Sequence, residues 1–272
     1  MKRALLVGIN KYKIAGADLN GCVNDVTNLR DILLKYFGFD IKDIKVMTDE
    51  RATKLGIMDG LKWLTEGVKT GDSILFAFSG HGSQIVDKNN DEYKDNLDEI
   101  LCPHDMDWDG TYIVDDELNE IFSKVDQTVN IEVILDSCHS GTGTREIKGL
   151  NLLPKEETLK IRFLKPPVDI DCRMDEDMEV VKLFSGIRAK KPDNRVVFTG
   201  CKDNQTSADA YINGTYNGAF TYYFCKYLRE AQGKINRLEL LKRVRSSLKY
   251  HGFSQIPQLE CAKNEKIKNL LE

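Results

Sequence analysis

Two short glycine-bearing segments hold the residue types that nucleophilic catalysis needs: Phe78-Ser79-Gly80-His81-Gly82 and Asp136-Ser137-Cys138-His139-Ser140-Gly141. A cysteine attacks a carbonyl as its thiolate, so it belongs on an exposed, sharp turn beside a group that takes its proton. Cys138 suits such a turn, because Ser140 and Gly141 follow it. His81 suits the base, since Gly80 and Gly82 let the backbone approach a substrate carbonyl closely. His139 is a competing base, but a side chain next in sequence to the nucleophile points elsewhere on the turn, which ranks it behind His81. On residue types alone, the pair is as open to a structural role as to a catalytic one.

The elements around the two segments make the pairing more specific. Residues 3–9, 44–47, 74–78 and 131–135 are apolar runs that read as buried strands, the last two leading directly into the SGHG and DSCHSG loops. Apolar residues at helical spacing predict helices over 20–37, where Val23, Val26, Leu29, Ile32, Leu33 and Phe37 share a face, and over 52–68 and 115–125. Alternation of helices with uniformly apolar strands implies a mostly parallel sheet covered on both faces, with ligands beyond the carboxyl ends of its strands. Both special loops lie at those ends. Residues 143–194 contain Pro154, Pro166, Pro167 and Pro192 and little periodicity, and read as a long exposed connection with a short helix around 178–184. A strand over 195–199, helices over 217–231 and 235–248, and a strand near 256–259 close the pattern.

Composition narrows the function classes. The chain has 272 residues, 41% hydrophobic and 30% charged, with a net charge of −4, which excludes a disordered chain and a strongly basic nucleic-acid surface. Seven cysteines without a CxxC argue against a zinc ribbon and for free thiols in a reducing cytoplasmic setting. The start MKRALLVGIN lacks a signal-peptide pattern, and no stretch approaches a membrane span. Between Asp87 and Glu120 stand nine Asp, four Glu and two Lys, an acidic density that reads as a solvated loop, a calcium site or a lure for basic substrates. Within it, Asp105, Asp107 and Asp109 have DxDxDG spacing but no Glu at loop position twelve, where Asp116 stands, so a turn is expected rather than an EF-hand. Cys102 and His104 have no second pair nearby and are expected to pack or solvate a loop.

The two loop motifs resemble the catalytic motifs of metacaspases, including the prokaryotic orthocaspases. Three further stretches agree in order: Leu19-Asn20-Gly21-Cys22-Val23-Asn24-Asp25, residues 200–209 (GCKDNQTSAD) and Asn217-Gly218-Ala219-Phe220-Thr221-Tyr222. The resemblance runs from residue 3 to about 260, and the 57 residues between His81 and Cys138 are close to the caspase separation of about 50. It implies an α/β caspase-haemoglobinase-like fold with a mostly parallel six-stranded central sheet and helices on both faces. It also implies one domain over 1–272, with 1–142 as large-subunit-like part, 143–194 as exposed linker and 195–272 as small-subunit-like part.

The activity implied is that of a cysteine endopeptidase. Cys138 attacks, His81 moves the proton, and the N–H groups of Gly82 and Cys138 form the oxyanion hole. Asp25 and Asp136, with Ser79 contributing a hydroxyl, would form an S1 pocket for Lys or Arg, since a cation needs fixed carboxylates; read alone, Asp25 is a helix cap and Asp136 a strand end. No cofactor is required for the chemistry. Calcium as activator would use Asp98, Asp115 and Asp116, but Arg145 stands where the family has a further acid, with Glu146 beside it. The implied partners are proteins or peptides with Lys or Arg, with no nucleic acid or membrane, and a monomer is expected. Self-processing is expected in the linker, at Arg145, Lys148, Arg188, Lys190 or Lys191. The alternative is a catalytically silent scaffold of the same fold.

Overall fold

A computed structural model describes residues 1–86, 97–138, 159–170, 195–202 and 205–272. The strands are β1 (Lys2–Gly8), β2 (Ile44–Thr48), β3 (Ser73–Ser79), β4 (Gly82–Val86), β5 (Leu97–Leu101), β6 (Ile113–Val114), β7 (Asn130–Asp136), β8 (Leu159–Ile161), β9 (Arg195–Thr199), β10 (Ala208–Ile212), β11 (Thr215–Gly218) and β12 (Gln258–Glu260). The helices that frame them are α1 (Cys22–Tyr36), α2 (Lys54–Thr65), α3 (Asp115–Ser123), α4 (Ala219–Glu230) and α5 (Arg237–Tyr250).

Six strands form the central sheet in the order β12-β9-β7-β3-β1-β2. Every pairing is parallel except that of the edge strand β12 with β9. β3 is buried along its whole length, as its unbroken apolar run demands of a strand covered on both faces. One face is covered by α1, α4 and α5 through residues such as Val26, Leu29, Phe220, Phe224 and Val244. The other is covered by α2 and α3 through Ile57, Leu61, Leu118 and Phe122. Strand order reverses between β1 and β3, so the crevice beyond their carboxyl ends is the topological switch point where such sheets take ligands.

Two three-stranded sheets cap that end of the molecule, in the orders β4-β5-β6 and β11-β10-β8. The first corrects the expectation that the acidic stretch is one solvated loop. Ile100, Leu101 and Ile113 within it are buried, and they hold Asp98 inside as well. The second corrects the reading of the connection as wholly exposed, because β8 lies inside it and is hydrogen-bonded to β10. Helix boundaries differ from the periodic reading by a few residues, since caps and first-turn hydrogen bonds, not apolar spacing, end a helix. α2, for example, begins where Thr53 Oγ1 accepts from Gly56 N.

Candidate active site

The parallel register of β3 with β7 pairs Ser79 with Asp136 at their carboxyl ends. His81 and Cys138 therefore each stand two residues beyond a matched pair. The two loops converge on one oxygen atom: Gly82 N and Cys138 N donate to the Arg162 carbonyl oxygen at 3.0 and 3.1 Å. Two preorganised N–H groups on one carbonyl is the geometry that stabilises an oxyanion.

Cys138 is fully buried. Ser207 N donates to its Sγ, and Sγ lies 3.5 Å from the Ser207 carbonyl oxygen. His81 is buried too, with its ring beside that of Tyr12 and its backbone N–H held by the Tyr12 hydroxyl at 2.8 Å. Nε2 of His81 lies 2.7 Å from the Ala17 carbonyl oxygen. A carbonyl only accepts, so Nε2 carries the proton, and Nδ1, buried and without a hydrogen bond, keeps its lone pair. Burial, aided by the Arg162 charge and opposed by the Ala17 and Arg162 carbonyls, lowers the His81 pKa to about 4. The imidazole is thus neutral at pH 7, the state a proton acceptor needs.

The Arg162 side chain is fully buried among three carboxylates. Nη2 donates to Asp25 Oδ2 at 2.7 Å and to Asp209 Oδ1 at 3.1 Å. Nη1 donates to Ser79 Oγ at 2.7 Å and to the Asp136 carbonyl at 3.1 Å, with Asp136 Oδ2 at 3.2 Å. The acids are themselves fixed. Ser79 Oγ and Gly218 N donate to Asp25, Ser207 Oγ and Thr221 donate to Asp136, and Asn20 N and Gly21 N donate to Asp209. Burial opposes the Arg162 charge, but Asp136, Asp25 and Asp209 more than offset it and hold its pKa above the ordinary value. One guanidinium does not balance three acids. Burial, with Asp136 nearby, accordingly pushes Asp25 up to about 7 against the pull of Arg162.

The segment around Arg162 lies in the cleft as an extended chain. On its amino side, Leu159, Lys160 and Ile161 pair antiparallel with Ala210, Asp209 and Ala208, and Arg162 N donates to the Ser207 carbonyl at 3.1 Å. Lys160 Nζ reaches the Asp18 carbonyl at 2.6 Å. On its carboxyl side, Phe163 bridges Gly82, Leu164 N donates to the Gly82 carbonyl at 2.9 Å, and Ser83 Oγ donates to the Leu164 carbonyl at 2.7 Å.

The structure thus brings together His81, Gly82, Cys138, Ser79, Asp25 and Asp136. Asp25 sits inside α1, not at its cap. Arg162, Asp209, Ser207 and Tyr12 belong to the same cluster and carried no individual signal in the sequence, although Ser207 and Asp209 stand in the motif at 200–209. Asp98 lies on β5 and Asp115 and Asp116 open α3. Among the described residues, no group of three His, Cys, Asp or Glu is placed to hold a metal ion. Asp105 and Asp107 make local bonds instead, Asp105 accepting from Lys54 N and Asp107 from Asp109 N and Thr111. Cys102 is buried and His104 Nδ1 meets the Lys11 carbonyl, as packing roles require. His139, Glu146 and the basic residues Arg145, Lys148, Arg188, Lys190 and Lys191 lie outside the described residues, as does the helix expected around 178–184. Among the described residues, no helix is long and apolar enough to cross a membrane.

Similarity to known proteins bears on the family and the fold. The family model described as metacaspase, peptidase C14 domain, matches residues 2–145. Metacaspase-1 of Eremothecium gossypii is 31% identical, the match covering 96% of this chain and 64% of the relative. Metacaspase-1 of Schizosaccharomyces pombe is 32% identical, with 96% and 67% covered. The chain therefore spans about two thirds of the length of these relatives. Among solved structures, a Geobacter sulfurreducens protein superposes with a TM-score of 0.70 at 23% identity, covering 100% of this chain and 99% of the other. Caspase-1 from Spodoptera frugiperda superposes with a TM-score of 0.60 at 16% identity, covering 96% and 86%; at these identities the likeness is one of fold. With five ordered motifs, a caspase-like sheet and these relatives in agreement, the chain belongs to the metacaspase family.

Proposed function

We propose that the chain is a cysteine endopeptidase that cleaves after arginine, with lysine the poorer substrate, and that it processes itself at the Arg162–Phe163 bond. The observation that carries this reading is the Arg162 carbonyl oxygen, held by Gly82 N and Cys138 N at 3.0 and 3.1 Å while its guanidinium is enclosed by Asp25, Asp136 and Asp209. Arginine engages this pocket through two nitrogens at once. A lysine offers one ammonium on a shorter side chain and cannot span Asp25, Asp209 and Ser79 in the same way.

The reaction follows from the same atoms. Nδ1 of His81 takes the Cys138 proton, and the thiolate, favoured by the Ser207 N–H, attacks the Arg162 carbonyl carbon. Charge gathers on the carbonyl oxygen under Gly82 N and Cys138 N. The bond to the Phe163 nitrogen breaks as His81 returns its proton to the departing amine. A water then gives a proton to His81 and attacks the thioester carbon, the C–S bond breaks, the Cys138 thiol is restored and the arginine leaves as a carboxylate. No step runs through calcium.

The test is incubation of the purified chain with mapping of the fragment ends. Expected are a new amino terminus at Phe163, no cleavage when Cys138→Ala is made (a loss on the order of 10⁴-fold or more), slower cleavage in Arg162→Lys and none at this bond in Arg162→Asp. Ends at Arg145, Lys148, Arg188, Lys190 or Lys191 would move the processing site elsewhere in the connection. No turnover of self or of fluorogenic peptides with Arg, Lys or Asp at P1, with calcium or with chelator, would leave the silent scaffold.

A further inference from the structure

Ser83 is fully buried one residue beyond the oxyanion-forming Gly82, and none of the steps above uses its hydroxyl. That hydroxyl donates at 2.7 Å to the carbonyl of Leu164, the second residue past the scissile bond. The same residue's N–H donates to the Gly82 carbonyl at 2.9 Å, and Phe163 between them forms a parallel bridge to Gly82. The start of β4 therefore acts as a short strand edge on the leaving side of the bond, just as β10 does on the acyl side. Both backbone polar groups of one residue are satisfied there, which fixes its register and orients its side chain. The Leu164 side chain is partly buried against the cluster that includes Tyr12, Leu19 and Ile85, an apolar environment that penalises a charged side chain.

Resting on the peptidase reading above, we propose that Gly82 and Ser83 clamp the P2′ residue of substrates, so that the enzyme reads an apolar side chain there and favours chains that run through the cleft over chains that end at the cut. Edge-strand addition of this kind takes its affinity from main-chain hydrogen bonds and its specificity from alternate side chains. Ser83 is thereby a substrate-binding residue on the primed side, where the acidic pocket for arginine has no influence.

Two peptides with the acyl half Leu-Lys-Ile-Arg separate the possibilities on the self-processed full chain. One ends in an aminocoumarin amide directly after arginine; the other continues as Phe-Leu-amide with a quenched fluorophore pair. For the unmutated protein, kcat/KM is expected to be higher for the continuing peptide, and Ser83→Ala is expected to lower the ratio of the two kcat/KM values about three- to tenfold, the loss that one hydrogen bond supports. On the unmutated protein, replacing the terminal leucine amide by leucinol, which has no P2′ carbonyl, is expected to lower the ratio by a similar factor. The leucinol peptide needs no variant to fold. An unchanged ratio in both comparisons overturns the clamp, leaving Ser83 as a holder of the latent linker alone. Failure of both peptides to turn over overturns the peptidase reading, and the clamp falls with it.

Discussion

His81 sits in the cleft as a neutral imidazole whose lone pair is on Nδ1, and two features of its surroundings keep it so. Burial is the larger, and the guanidinium of Arg162 adds to it. Removing Arg162 takes away the charge and opens the cleft to water, so both causes weaken together. Arg162→Ala is expected to raise the His81 pKa from about 4 toward the ordinary value near 6.5, read from its imidazole NMR titration; an unmoved titration would mean that Arg162 does not govern the imidazole. The sign for stability follows. A histidine whose folded pKa is lowered adds stability that is full above its unfolded value and is lost as pH falls toward about 4. Asp25 runs the opposite way. Its folded pKa is raised to about 7, so its contribution is full below the ordinary aspartate value and fades as pH rises through 7.

At the scale of elements, the pocket is built where α1, the ends of β3 and β7, and the β11–α4 junction meet. Gly218 closes that junction. Its N–H donates to Asp25, and a Cβ there would lie 2.2 Å from Asp136 Oδ2 and 2.5 Å from Arg162 Nη1. Asp136 cannot give way, because Ser207 and Thr221 hold both of its oxygens. Gly218→Ala is therefore expected to displace the guanidinium and slow self-cleavage by about 100-fold, the cost of misplacing a reacting group by about an ångström, measured as the rate of fragment formation. A normal rate would show that the pocket adapts.

Across the whole molecule, a second buried ion pair ties the carboxyl-terminal segment to the sheet. Arg237, at the start of α5, donates through Nε at 2.7 Å to Glu132 on β7, and Leu271 N donates to the same oxygen. Burial raises the Glu132 pKa to about 7 against the pull of Arg237, so stability from this group is full below its ordinary value and is lost as pH rises through 7. Arg237→Ala leaves Glu132 buried without its cation. It is expected to cost about 3–5 kcal/mol at pH 8 and less at pH 5, where Glu132 takes up a proton, as read from denaturant unfolding at the two pH values. An equal loss at both would show that the pair contributes through packing and not through charge.

The sequence by itself determined the parallel sheet and the two loops, because continuous apolar runs and helical spacing follow from burial that every member of such a sheet must satisfy. It also determined the types at the centre: Cys138, His81, Asp25, Asp136 and Ser79 stand in short motifs whose local chemistry is legible without coordinates. The small-sheet strands β4, β5, β8, β10 and β11 were hidden, since a strand of three to five residues in polar surroundings has no period to detect, and its stability comes from the partner it pairs with. Arg162 was hidden for the same reason. It is one of several basic residues in a connection without periodicity, and only the register of β8 on β10 selects it for the pocket. Asp209 became the third carboxylate and Ser83 the hydroxyl on the Leu164 carbonyl because strands distant in sequence meet at one crevice. The chemistry was written in residue types, and which chain lies across it was decided by tertiary pairing.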